Sequence, residues 1–117
     1  MRSVTSILVI GLAAAGFACS GDQVEPPPCP NPTRATAVVM DDFSYGPNCL
    51  AVEADTTVSL DNQGAAPHTF TLEGTGVDAD VAAGEQGSAD LTGVPAGTYT
   101  VTCTYHPQML AVVEVAG

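Results

Sequence analysis

Short runs of apolar and β-branched residues follow one another along the chain from about residue 35, separated by Gly, Pro, Asn and Asp. Alternating runs bounded by turn residues are typical of strands. No segment shows the spacing of a long amphipathic helix. We therefore predict an all-β domain of about seven or eight strands, folded as a sandwich or a Greek-key barrel. The predicted strands are 35–40, 49–53, 56–61, 68–73, 87–91, 97–103 and 110–115, with an additional one at 77–81.

Alternation within these strands predicts where three potential metal ligands point. Successive side chains of a strand lie on opposite faces, so residues of like parity share a face. His68 shares parity with Phe70, and Cys103 with Val101, which places both on the apolar side of their strands. Met109 continues the inward parity of the last strand. We therefore expect these three side chains to converge at one end of the core.

The segment CTYHPQM, residues 103–109, carries a thiol, an imidazole and a thioether in a chain with four Cys, two His and three Met. Thiolate and thioether sulfur favour copper, and imidazole suits copper, zinc or iron. His106 lies between the two sulfurs, where Pro107 can turn the loop toward the core. A buried Cys is commonly an inert core residue, and a lone buried His a structural one. Four donors that meet at one place indicate instead a transition-metal site.

Two longer segments resemble the cupredoxins, in particular the amicyanin and plastocyanin group. The segment DNQGAAPHTFTLEG, residues 61–74, is similar to the part of the family that bears the first His ligand. The segment GTYTVTCTYHPQMLAVVEV, residues 97–115, is similar to the ligand loop and the closing strand. The two-residue gaps on either side of His106 are those of amicyanin.

This resemblance implies a fold and a ligand set. The fold is a Greek-key β-sandwich holding one type 1 copper through His68, Cys103 and His106, with Met109 as a weak axial ligand. Thr69 takes the position from which the family braces the ligand loop by hydrogen bonds. A binuclear copper centre needs a second Cys in this loop, and Cys103 is the only one there.

The chain divides into three parts by composition. Residues 1–18 have the features of a signal peptide, with an apolar run shorter than a membrane span of about 20 residues. Residues 19–34 are rich in Pro and polar residues and are predicted to be a tether, and residues 35–117 the copper-binding domain. Cys19 resembles the acceptor of a bacterial lipoprotein, with ordinary secretion as the alternative. We expect an extracytoplasmic protein, periplasmic or at the cell surface, anchored through Cys19.

Acidic residues dominate the charge of the chain. Thirteen Asp and Glu oppose two basic residues, Arg2 and Arg34, for a net charge of −11. Binding to phosphate backbones requires clustered cations, so the composition excludes nucleic acid as a partner. An acidic excess steers basic partners toward a protein, and a solvated acidic surface without a specific partner is the alternative.

The four cysteines can be assigned by elimination. With Cys19 lipidated and Cys103 on copper, Cys29 and Cys49 remain in an oxidising compartment, where they are expected to pair.

The sequence therefore predicts a monomeric electron-transfer protein that meets redox partner proteins transiently. It is not expected to be an enzyme, because the ligands leave no open coordination position. One alternative is a copper-binding module that buffers or delivers copper without redox duty. Another is a metal-free sandwich in which the four donors are coincidental.

Overall fold

The structure of the protein is a computed structural model that describes residues 27–117. This part of the chain has no helix, and so none long and apolar enough to cross a membrane. It contains ten strands: β1 (Thr33–Arg34), β2 (Ala37–Asp41), β3 (Ser44–Gly46), β4 (Cys49–Val52), β5 (Thr57–Asn62), β6 (His68–Leu72), β7 (Asp78–Val81), β8 (Gln86–Asp90), β9 (Gly97–Thr102) and β10 (Leu110–Val115).

The ten strands form two sheets of a β-sandwich. The larger sheet has the order β1-β4-β10-β9-β6-β7, and the smaller has the order β3-β2-β5-β8. Strand β10 pairs in parallel with β4 and antiparallel with β9, and β2 pairs in parallel with β5. Consecutive strands such as β4 and β5 lie in different sheets, so the chain crosses repeatedly from one sheet to the other, as in Greek-key sandwiches.

Apolar side chains from both sheets fill the space between them. Met40 and Leu60 of the smaller sheet and Phe70 and Val113 of the larger are all at most 1% exposed. Burial alternates strictly along most of β5, as expected for a strand with one face on the core and one in water. Removal of this apolar surface from water is the main contribution that stabilises the sandwich.

The predicted all-β sandwich is confirmed, and each predicted strand has a counterpart. Strands β1 and β3 were missing from the prediction, because two or three residues are too few to show an alternating pattern. Strand β1 pairs in parallel with β4, so Thr33 and Arg34 belong to the larger sheet although they were predicted to end the tether. The predicted signal peptide and the acceptor Cys19 lie outside the described residues.

Cys29 and Cys49 form a disulfide with a Cα–Cα distance of 5.5 Å, as the cysteine count predicted. The bond attaches the segment before β1 to the first residue of β4, which is the strand that β1 pairs with. Arg34 lies 3.4 Å from Glu53, but both side chains are more than 70% exposed, so this ion pair stabilises the fold little. The disulfide is therefore the stronger link between the start of the domain and the sheet.

We predict that the double variant Cys29→Ser with Cys49→Ser is less stable than the native chain by about 3 kcal/mol, since the bond closes a loop of 20 residues in the unfolded chain. Urea denaturation of both proteins without metal measures the difference. Reduction of the native chain should reproduce the loss. Equal midpoints for the two proteins would contradict the prediction.

Candidate metal centre

Three side chains bring potential ligand atoms together at one end of the sandwich. Nδ1 of His68 lies 3.9 Å and Nδ1 of His106 lies 3.7 Å from Sγ of Cys103. The ligand atoms of all three residues lie within 4.8 Å of one another. His68 and Cys103 are 0% and 2% exposed, whereas His106 is half-buried. Met109 is fully buried, so each of the three side chains expected to face inward does so.

Two neighbouring strands of the larger sheet carry the first pair of donors. His68 begins β6, and Cys103 directly follows the last residue of β9. These strands pair through only two residue pairs, Thr71 with Thr102 and Leu72 with Val101. The ladder ends before it reaches His68 and Cys103, so their side chains meet beyond the paired region, at the end of the sheet.

The loop from Cys103 to Met109 consists of two successive turns. The backbone N–H of His106 donates to the carbonyl of Cys103 at 3.3 Å, and that of Met109 donates to the carbonyl of His106 at 2.9 Å. Each bond closes a four-residue turn. The three-residue spacing of the sulfur, imidazole and thioether groups therefore matches the turn period, which keeps the loop compact against the core.

Thr69 links this loop to β6, as the family resemblance implied. Its backbone N–H donates to Sγ of Cys103 at 3.4 Å, and its hydroxyl accepts from the backbone N–H of Thr104 at 2.9 Å. The Tyr45 hydroxyl donates to the carbonyl of Thr69. Burial raises the pKa of Tyr45, with a further contribution from the charge of Cys103, so this hydroxyl remains a donor.

Asn62 organises the loop that leads into His68. Its side-chain amide donates to the carbonyls of Ala66 and Val81, both at 3.0 Å, and its oxygen accepts from the N–H of Gly64 at 2.9 Å. The side chain is fully buried, and its bond to the Val81 carbonyl is buried as well, whereas the other two bonds are part-buried. The approach of the chain to β6 is thereby fixed before His68 begins.

A turn of the smaller sheet also reaches the site, which the sequence patterns did not predict. Asp42 and Phe43 connect β2 to β3, and Asp42 Oδ1 lies 2.9 Å from Nε2 of His68. The Phe43 ring meets the His106 ring edge-on at a centroid distance of 4.6 Å. Hydrogen bonds to its carboxylate hold the pKa of Asp42 below its usual value, and the bond from the N–H of Ala65 contributes most. No local signal marks either residue, because they lie more than 20 positions before His68 and reach it from the other sheet.

The residues of the centre fit a copper ion chemically. Donor atoms that share one metal through bonds of roughly 2.0–2.3 Å lie within about 4.6 Å of one another, and the sulfur-to-nitrogen distances of 3.9 and 3.7 Å satisfy this limit. One thiolate with two imidazoles is a soft and borderline set that suits copper. No buried side-chain nitrogen or oxygen in residues 27–117 lacks a hydrogen-bond partner.

Comparison with known proteins assigns the fold and the site to one family. A family profile described as a cupredoxin-like domain matches residues 8–115. The chain belongs to the cupredoxin family. Family membership and the cluster of His68, Cys103 and His106, with the buried Met109 three residues after His106, together assign a single copper to this cupredoxin. No curated protein matches its sequence significantly.

Several solved structures share the fold. A purple cupredoxin from Nitrosopumilus maritimus has a TM-score of 0.60 at 18% identity, over 70% of this chain and 100% of that one. An amicyanin mutant in its reduced Cu(I) form has a TM-score of 0.59 at 28% identity, over 70% and 82% of the two chains. A Cu-containing nitrite reductase from Thermus scotoductus, at 22% identity and a TM-score of 0.56, matches 80% of this chain with 23% of its own.

We predict that Asn62→Ala lowers the free energy of unfolding by about 2 kcal/mol, because it removes a buried amide and leaves its backbone partners unpaired. Thermal or urea denaturation of the metal-free protein measures this. The neighbouring Gln63→Ala is the control, since Gln63 is exposed and, within residues 27–117, its side chain bonds only to Asp61. Equal losses in the two variants would show that the hydrogen bonds of Asn62 contribute no more to the free energy of unfolding than an exposed side chain does.

Proposed function

We propose that this cupredoxin carries one electron at a time on a type 1 copper bound by His68, Cys103 and His106, with Met109 as the axial ligand. The observation that carries the proposal is the meeting of one sulfur and two imidazole nitrogens within 4.8 Å at a largely buried position. Two imidazoles, one thiolate and a weak thioether are the donor set of blue-copper electron-transfer sites. Copper bound there supplies a centre that alternates between Cu(II) and Cu(I).

The surroundings of the proposed ligands favour fast electron exchange. His68 and Cys103 are buried and held by hydrogen bonds, so their positions need to change little between the two oxidation states. The N–H of Thr69 on the Cys103 sulfur is an outer contact of the kind that tunes the potential of such sites. The likeness to amicyanin, solved in oxidised and in reduced Cu(I) forms, supports the same redox use here.

We propose that electrons enter and leave through His106, and that the protein is a carrier rather than an enzyme. His106 is the half-buried member of the set, whereas the other three ligands are fully enclosed. Phe43 beside it is 58% exposed, so an apolar ring lies at the surface next to His106. Four protein ligands leave no open position at which a substrate would bind.

The proposed setting is outside the cytoplasm, with transient redox partners. The disulfide between Cys29 and Cys49 supports this location, because such bonds persist in oxidising compartments. The sequence features of residues 1–18 and of Cys19 favour export and a lipid anchor at the start of the Pro-rich segment.

We predict that the copper-loaded protein is intensely blue when oxidised and that Cys103→Ser abolishes the colour, because the band arises from charge transfer between the Cys103 thiolate and copper. Met109→Ala should keep copper and colour yet shift the reduction potential, since the axial bond is the weakest of the four. Absorption spectra and cyclic voltammetry measure both effects. A blue Cys103→Ser protein would overturn the ligand assignment. Tight copper binding without reversible electrochemistry in the native protein would favour copper buffering or delivery instead.

We predict that electron transfer to a cationic small-molecule acceptor slows as salt is added, whereas transfer to a neutral acceptor does not. The net charge of −11 attracts cations, and the Debye length falls to about 8 Å at physiological ionic strength. Stopped-flow measurements across a salt series, with both acceptors, separate charge attraction from apolar docking. A flat profile with the cationic acceptor would show that the acidic surface serves solubility alone.

A further inference from the structure

We propose that Asp42 is a positioning residue that holds the imidazole of His68 with Nδ1 toward the metal and lowers the reduction potential of the site, through a contact for which Gly64 leaves the space. The proposal rests on copper binding by His68 but not on the identity of any electron partner. It assigns a role to a turn of the smaller sheet, whereas all four proposed ligands come from the larger sheet and its loops.

The carboxylate of Asp42 gathers three N–H groups. Its Oδ1 lies 2.9 Å from Nε2 of His68 and accepts from the N–H of Ala66 at 3.2 Å, and its Oδ2 accepts from the N–H of Ala65 at 2.9 Å. The two bonds from backbone N–H groups fix the carboxylate in place. The contact with Nε2 can therefore orient the ring of His68 rather than move the carboxylate. The contact links the loop before β6 and the first residue of β6 to the turn between β2 and β3.

This contact determines which nitrogen of His68 faces the cluster. An ionised carboxylate only accepts hydrogen bonds, and a neutral imidazole has a single N–H. Donation from Nε2 to Asp42 therefore leaves Nδ1 with a free lone pair, and Nδ1 is the atom that lies 3.9 Å from Sγ of Cys103. His68 is 0% exposed, so water does not compete for its ring. Metal-binding His residues are commonly oriented and made more basic by a carboxylate in this way.

Gly64 provides an independent observation, because its backbone lies so close to Asp42 and His68 that a side chain would not fit between them. A Cβ on Gly64 would lie 2.3 Å from Oδ1 of Asp42 and 2.9 Å from Nε2 of His68, distances that real Cβ atoms do not tolerate. The backbone of Gly64 is outside the left-handed region, so an L-residue would not be strained there by its φ angle. A side chain at this position would therefore have to displace the carboxylate of Asp42 or the ring of His68.

The charge of Asp42 acts on the redox balance. A carboxylate one imidazole away from the metal stabilises the more positive ion, Cu(II), more than Cu(I). The contact is partly shielded from water, with the Asp42 side chain 31% and the His68 side chain 0% exposed, so solvent screens it less than an open surface pair. Removal of the carboxylate should therefore raise the reduction potential and weaken Cu(II) binding more than Cu(I) binding.

Two variants of the full-length protein test this, each with a matched control. Asp42→Ala removes the acceptor, and Asp41→Ala removes an adjacent exposed carboxylate that has no side-chain bond to the site. Gly64→Ala keeps every charge but fills the contact, and Gly76→Ala adds the same methyl group where no atom lies within 4 Å. The measurements are the Nε2–H signal of His68 by ¹⁵N NMR without metal, the affinities for Cu(II) and Cu(I), and the midpoint potential.

In the metal-free native protein we expect an Nε2–H signal of His68 that exchanges slowly with water. Asp42→Ala and Gly64→Ala should lose this slow exchange, bind Cu(II) about 10–100-fold more weakly and have a higher potential. The two control variants should keep the native signal and affinities.

The proposal would be overturned if both Asp42→Ala and Gly64→Ala kept the slow exchange of the His68 Nε2–H and the native affinity for Cu(II). It would also be overturned if Asp41→Ala had the same effects as Asp42→Ala, because the carboxylate of Asp42 would then act only through its net charge. The NMR signal requires neither copper nor an electron partner. A native protein that shows it but lacks reversible electrochemistry would disprove electron transfer while leaving the positioning of His68 by Asp42 supported.

Discussion

The hydrogen bonds between Thr69 and the turn that begins at Cys103 are the constraint on which the rest of the site depends. Strands β6 and β9 pair through two residue pairs only, and the ladder stops short of the donors. Beyond that point Thr69 connects β6 to the turn. Its N–H donates to the Cys103 sulfur, and its hydroxyl accepts from the backbone N–H of Thr104. The strand that carries His68 and the loop that carries the other donors are thereby held together without closing the space between them.

This arrangement explains how the fold brings together proposed ligands that are distant in sequence. His68 and Cys103 are separated by 35 positions, yet each lies at an end of a strand that is anchored in the core, β6 by Phe70 and Leu72 and β9 by Val101. The sheet supplies rigidity, because β9 and β10 pair over their full lengths beside the site. The loop then needs only two short turns to place His106 and Met109. A donor set held in place in this way would rearrange little between Cu(II) and Cu(I), as the proposed function requires.

The parts of the site that the sequence predicted are those set by local geometry. Strand parity depends on neighbouring residues alone, so the inward facing of His68, Cys103 and Met109 follows from alternation. The contacts of Asp42 and Phe43 depend on how two sheets pack, and no periodicity in the chain carries that information. The short strands β1 and β3 escaped prediction for a related reason, since their positions are decided by the strands they pair with rather than by their own few residues.

The turn between β2 and β3 joins the two imidazoles into one unit. Asp42 contacts the ring of the buried His68, and the next residue, Phe43, packs on the ring of the half-buried His106. Phe43 adopts a φ of 126°, in a region that bulky residues rarely occupy and that costs roughly 1–3 kcal/mol. The pairing of Met40 with Tyr45 and of Asp41 with Ser44 leaves only these two residues for the reversal. Two-residue reversals commonly need a residue with positive φ, and here that residue is Phe43. The same turn directs two adjacent side chains to two different proposed ligands, and the hairpin and the Asp42 hydrogen bonds hold it in that conformation.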